Sequence, residues 1–107
     1  MKRTISYALL AALTATCVGA HAEQADGLAL AQRKNCMACH ATDKTLMGPS
    51  FHAIAAKYAG RADAADVLAQ TIVKGSVGVW GNVPMPANTQ LTSSDALTLA
   101  HWILSSN

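Results

Sequence analysis

The sequence predicts an all-α fold of about four short helices, and three observations predict it. Apolar residues recur at helical spacing, most clearly at Phe51, Ile54, Ala55 and Tyr58. Asn35, Gly60 and Gly75 stand where such runs stop, and these residue types tolerate the left-handed backbone that ends helices. No strand pattern, internal repeat or low-complexity segment is present.

The first segment reads as a secretory leader. Met1, Lys2 and Arg3 form a basic start, residues 7–19 are apolar apart from Thr14, Thr16 and Cys17, and Ala20-His21-Ala22 is a small-residue cleavage site. The apolar run is too short to span a bilayer comfortably. Residues 1–22 are therefore expected to be cleaved, which predicts a periplasmic protein. Removing them from the 107 leaves 85, residues 23–107, as one domain. Thr14-Ala15-Thr16 is a poor context for lipid attachment at Cys17.

The first helix is expected over residues 27–34, with Asp26 as N-cap, Leu28, Leu30 and Ala31 as its apolar face, and Arg33 and Lys34 in the last turn. Residues 42–50 read as a loop marked by Gly48-Pro49. The second helix is expected over residues 50–59. The third runs from about residue 63 to Lys74, with Leu68, Ile72 and Ala64 or Ala65 as its stripe. Residues 75–91 form an irregular stretch rich in Gly and Pro, long enough to imply a task. The fourth helix is expected over residues 93–105, opened by a capping box from Thr92 and Asp95, with Leu97, Ala100, Leu104 and Ile103 facing inward.

Between the first two helices lies Cys36-Met37-Ala38-Cys39-His40. A C-x-x-C-H run is an attachment site for one covalent c-type haem. The thiols of Cys36 and Cys39 add to the porphyrin vinyl groups, and His40 reaches the iron as an axial ligand. Bare C-x-x-C pairs also occur in zinc and dithiol sites, but residues 23–107 hold no further cysteine. A haem also suits so small a chain, whose core is rich in alanine and holds few large aromatics.

The opposite face of the iron decides the function. Met85, 45 positions after His40, lies in Val83-Pro84-Met85-Pro86. A thioether suits low-spin iron and raises its potential, and flanking prolines stiffen the backbone that presents it. Met37 is inside the tether, and Met47 is expected to pack on the haem edge. His52 and His101 read as surface or core histidines rather than ligands. If Met85 did not ligate, an open iron site would make the protein a haem enzyme or gas sensor instead.

Residues 23–107 carry Arg33, Lys34, Lys44, Lys57, Arg61 and Lys74 against Glu23, Asp26, Asp43, Asp63, Asp66 and Asp95, so the formal +2 comes from the leader. No basic cluster suggests nucleic acid, and no apolar run after the leader suggests a membrane span.

Taken together these residues resemble the small bacterial class I monohaem cytochromes c, the cytochrome c-551 group. The resemblance is carried by the haem motif, Met47-Gly48-Pro49, residues 54–60, Gly75-Ser76, Gly78-Val79-Trp80-Gly81, Val83-Pro84-Met85-Pro86, Asn88 and residues 99–104. It covers nearly all of residues 26–106, and the Trp-Gly-x-x-Pro-Met-Pro segment is its most specific part. It implies the class I cytochrome c fold, with the helices wrapped around one haem. It implies further that the Pro49 carbonyl accepts the His40 N–H, that Trp80 donates to a haem propionate, and that the Asn88 amide lies near the Met85 sulfur. Relatives often have a basic residue near a propionate where this chain has Thr71, and Lys74 is a possible replacement. Trp102 is expected in the core between the first and fourth helices.

The expected function is electron carriage, not enzyme catalysis. Single electrons would pass between respiratory partners that dock weakly and transiently at the exposed haem edge, with moderate salt dependence. Nothing in the sequence demands more than a monomer.

Overall fold

The structure, a computed structural model, describes residues 19–107. Helix α1 is Gly19–Arg33, α2 is Phe51–Tyr58, α3 is Ala64–Lys74 and α4 is Ser93–Leu104, with a single 3₁₀ turn at Cys36–Ala38. The β-structure among the described residues is two isolated bridges, His40 with Thr45 and Ser76 with Met85. The expected leader, with Cys17, lies outside the described residues except for its last few positions.

Helix α1 begins earlier than expected. Asp26 is therefore an exposed residue inside the helix, not its N-cap. Nothing in Gly19–Gln24 breaks a helix, so the residues before Asp26 continue it. The expected cleavage junction after Ala22 falls in its first turn. Leu30 and Ala31 face inward as expected, whereas Leu28 is 40% exposed. The helix stops at Asn35, whose φ of 61° is the left-handed value anticipated for it.

Helix α2 follows its pattern. Phe51, Ile54, Ala55 and Tyr58 are all buried, and the Ser50 hydroxyl accepts from the Ala53 N–H at 3.1 Å. Helix α3 buries Ala64, Leu68, Ala69 and Ile72. Asp63 occupies its N-cap position but does not cap it. Its carboxylate instead takes two bonds from the Arg61 guanidinium, each 3.1 Å.

Helix α4 is the hub, packing on α1, α2 and α3. Its capping box forms as expected: the Thr92 hydroxyl accepts from the Asp95 N–H at 3.0 Å, and the Asp95 carboxylate accepts from the Thr92 N–H at 3.4 Å. The buried face differs from the expected one. Ala96, Leu99, Ala100, Trp102 and Ile103 are buried, while Leu97 is exposed and Leu104 only partly buried. A helix covered on three sides has a wide apolar arc, and Leu97 lies at its edge.

Trp102 sits at the crossing of α1 and α4, as expected. It lies against Gly27, where a side chain would overlap the indole. On its other side it meets Phe51 edge to face, with ring centroids 4.8 Å apart.

Candidate functional site

Helices α1–α4 leave a cavity of about 410 Å³ between them, within the size range of cofactor sites. Its walls are mostly apolar, and no Lys, Arg, Asp or Glu lines it. Cys36, Cys39, His40, Pro49, Trp80 and Met85 all line this one space. The sequence had placed them in three separate segments.

His40 is held from every direction. Its Nδ1 lies 2.7 Å from the Pro49 carbonyl oxygen. That acceptor fixes Nδ1 as the protonated nitrogen and leaves Nε2 free for a metal. Phe51 stacks on the ring at 5.5 Å and 25°. Gly48 comes so close that a Cβ there would stand 2.5 Å from His40 Cε1. The loop is tied in place by the Gly48 N–H to the Cys39 carbonyl at 2.9 Å and the Phe51 N–H to the Ala41 carbonyl at 2.9 Å. Sequence reading treated Gly48 as a turn signal only. Its real task is close approach to the ring, which no local pattern reveals.

Cys36 and Cys39 are free thiols, each partly buried. Burial raises the Cys36 thiol above its ordinary range, and the neighbouring Cys39 adds to that. The left-handed turn at Asn35 and the 3₁₀ turn that follows present both side chains to the cavity.

Met85 is half-buried and packs against the core. Its backbone bridges Ser76 through bonds of 3.0 and 2.9 Å. Gly75, with φ of 76°, makes the bridge possible, because a Cβ there would stand 2.5 Å from the Met85 carbonyl oxygen. The segment is therefore fastened to the C-terminal end of α3 rather than left as a free loop.

The Asn88 side chain is engaged at the end of α3. Its amide nitrogen donates to the Ile72 carbonyl at 3.0 Å and to the Pro86 carbonyl at 3.4 Å, and its backbone N–H donates to Val73 at 3.1 Å. The two amide hydrogens are thereby used, and Asn88 does not line the cavity. The end of α3 needs donors for its last carbonyls, and Asn88 supplies them.

Trp80 lines the cavity mouth and is 42% exposed. Met47, Val79 and Val83 share that rim and are also exposed. Thr71 lines the cavity, but its hydroxyl donates to the Val67 carbonyl of its own helix at 2.9 Å. Lys74, the suggested replacement cation, points to Gln70 at 3.5 Å and is not in the lining. His52 and His101 are exposed and away from the cavity. Met37 packs on the core without entering it.

The residues fit the haem that the motif implies. Two thiols, an imidazole with one nitrogen engaged and a thioether meet around an apolar space. Comparison with known proteins points the same way. The cytochrome c family model matches residues 13–107. The chain is 47% identical over 105 residues to a cytochrome c-551 of Pseudomonas aeruginosa, covering 98% of each chain. It is 53% identical over 76 residues to a cytochrome c-552 of Hydrogenobacter thermophilus, covering 71% of this chain and 76% of the other. The crystal structure of Nitrosomonas europaea cytochrome c552 superposes with a TM-score of 0.73 at 48% identity, over 75% of this chain and 99% of that one.

Proposed function

The chain belongs to the cytochrome c family, and from that premise we propose that it is a periplasmic electron carrier whose iron is held between His40 and Met85. It is a small class I monohaem cytochrome of the c-551 group, with the all-α class I fold and a single covalent haem c. Bound in the cavity, the haem supplies a one-electron ferric–ferrous couple. The residues of the chain supply everything else. Cys36 and Cys39 tether the group, His40 offers Nε2, and Met85 offers sulfur from a segment strapped to α3.

The observation that carries this reading is that the His40 ring and the Met85 backbone are both fastened in advance. His40 packs against Gly48 and Phe51 and is bonded to Pro49, and the Met85 backbone is bridged to Ser76. A ligand pair held this firmly does not have to rearrange when charge changes, which suits carriage of electrons and not binding of substrate at the iron. Partners would dock weakly at the rim of Met47, Val79, Trp80 and Val83, where apolar side chains remain exposed. The leader reading of residues 1–22 supports export. No helix among the described residues is long and apolar enough to cross a membrane. A single copy suffices for this task.

The test is optical. The oxidised holoprotein should show a methionine–iron charge-transfer band, and the reduced form should not bind carbon monoxide at neutral pH. Met85→Ala should lose the band and bind carbon monoxide. Ready carbon monoxide binding by the wild type would sink the carrier in favour of an enzyme or sensor.

A further inference from the structure

A haem carries two propionate carboxylates, yet no cationic side chain lines the cavity that would receive it. The cations of α2, α3 and the turn between them are differently engaged. Arg61 is bound to Asp63 through two 3.1 Å bonds. Lys74 turns to Gln70 at 3.5 Å. Lys57, on the exposed side of α2, forms no ion pair among the described residues. Its ammonium lies 4.9 Å from the ring centroid of Trp80, a residue that does line the cavity.

That placement has a consequence for anions. A cation over an indole is held by the negative face of the ring. The indole N–H points outward in the ring plane. An acid group meeting the N–H of Trp80 at the mouth therefore lies within reach of the ammonium as well, and both attract it. Thr71 offers no charge here, since its hydroxyl is turned back on Val67.

We propose that Lys57, seated on Trp80, is the cation that compensates a haem propionate at the cavity mouth. The inference rests on the haem reading above and concerns a residue that sequence reading left unassigned. It predicts that the charge on α2, and not a charge on α3, sets how the bound group responds to protons.

The elements of this half of the fold carry further ionisable groups, Asp43 and Lys44 in the loop before α2 among them. On α2 these are His52 and Tyr58; in the following turn, Arg61 and Asp63; on α3, Asp66 and Lys74. On α4, Asp95 is taken by the Thr92 cap, and His101 lines a separate shallow depression with Glu23. The segment from Gly75 to Leu91 has no titratable side chain.

The test is the equilibrium midpoint potential of the holoprotein as a function of pH, at low salt, for wild type, Lys57→Gln and Lys57→Arg. An opposite charge at this range holds a carboxyl's pKa down by about one unit or more. Lys57→Gln should therefore move the onset of pH dependence upward by about one pH unit, a tenfold change in proton affinity. Lys57→Arg should restore the wild-type onset, and added salt should shrink the difference. An onset unmoved in Lys57→Gln, with an unchanged visible spectrum, would overturn this inference alone. A chain that carries no haem, or a wild type lacking methionine ligation, would overturn the reading beneath it.

Discussion

Replacing Gly48 by alanine tests the idea that a missing side chain orients the proposed iron ligand. The backbone there is not in the left-handed region, so the substitution changes space and little else. An added Cβ would stand 2.5 Å from His40 Cε1 and 2.9 Å from Nδ1, where ordinary contact begins near 3.4 Å. The ring must retreat by about 1 Å to relieve that overlap. Phe51, stacked on the ring and 1% exposed, leaves it little room to move. The 2.7 Å bond to Pro49 is then stretched or broken. Overpacking a filled site costs about 1–3 kcal/mol, and the lost hydrogen bond about 1 kcal/mol more. A total of roughly 2–4 kcal/mol corresponds to a fall in Tm on the order of 10–30 °C for a domain this small. The midpoint potential should rise, because an imidazole without its acceptor is a weaker donor to ferric iron. Pro49→Ala is the control: it keeps the carbonyl and should leave the potential nearly unchanged. Scanning calorimetry and spectroelectrochemistry read both quantities. A Gly48→Ala protein that melts within 2 °C or so of wild type, at the same potential, would refute the close fit.

Gly27→Ala should destabilise the protein by about 1–3 kcal/mol through overlap with Trp102, less up to about 1 kcal/mol gained in helix propensity; urea unfolding gives the net sign. Asn88→Ala removes the donors to Ile72 and Pro86 and should cost about 1–2 kcal/mol. It should also speed carbon monoxide binding to the reduced form, as measured by stopped flow, by letting the Met85 segment open. Thr92→Ala deletes the N-cap of α4 and should lower stability by about 1 kcal/mol, with no change in potential. For Asp63, hydrogen bonds from Arg61 hold the carboxyl below its ordinary 3.8. A lowered folded-state value means that the pair's contribution is present above that ordinary value and disappears as pH falls through the folded one. Wild type and Asp63→Asn should therefore differ slightly at neutral pH and converge in acid, a pattern that denaturant unfolding at several pH values will show or contradict.

Much of this molecule is legible in one dimension because its signals are local. The four inward residues of α2, the caps at Ser50 and Thr92, and the left-handed stops at Asn35, Gly60 and Gly75 each depend on a few neighbours. The residues gathered around the cavity were readable for a different reason, since a thiol pair with its histidine and a proline-flanked thioether have few other uses. What escaped depends on what arrives from elsewhere in the chain. Gly27 and Gly48 matter because Trp102 and His40 press on them. Leu97 looked inward because the apolar residues of α4 run almost all the way round, and only the placement of three neighbouring helices picks the buried arc. That Asn88 also fastens the open end of α3 depends on Ile72, 16 positions away, and no local pattern shows it. Asp26 lost its cap role to the residues preceding it.

The two proposed ligands depend on different parts of this core. From the crossing of α1 and α4, packing runs from Gly27 to Trp102, from Trp102 to Phe51 at 4.8 Å, and from Phe51 to His40 at 5.5 Å. The seat of the imidazole is thus a continuation of the α1–α4 interface, and a closely packed interior passes displacement along such a line. Met85 depends instead on α3, through Gly75, Ser76 and Asn88. Helix α4 touches both halves, so the gap between imidazole and sulfur is set by how α3 packs on α4; Leu68 of α3 and Leu99 and Ile103 of α4 line the cavity. The ligand spacing is then a property of buried helix packing rather than of either loop. Loop substitutions outside these fastenings should leave the iron's surroundings alone, while a core change remote from the haem can reach them.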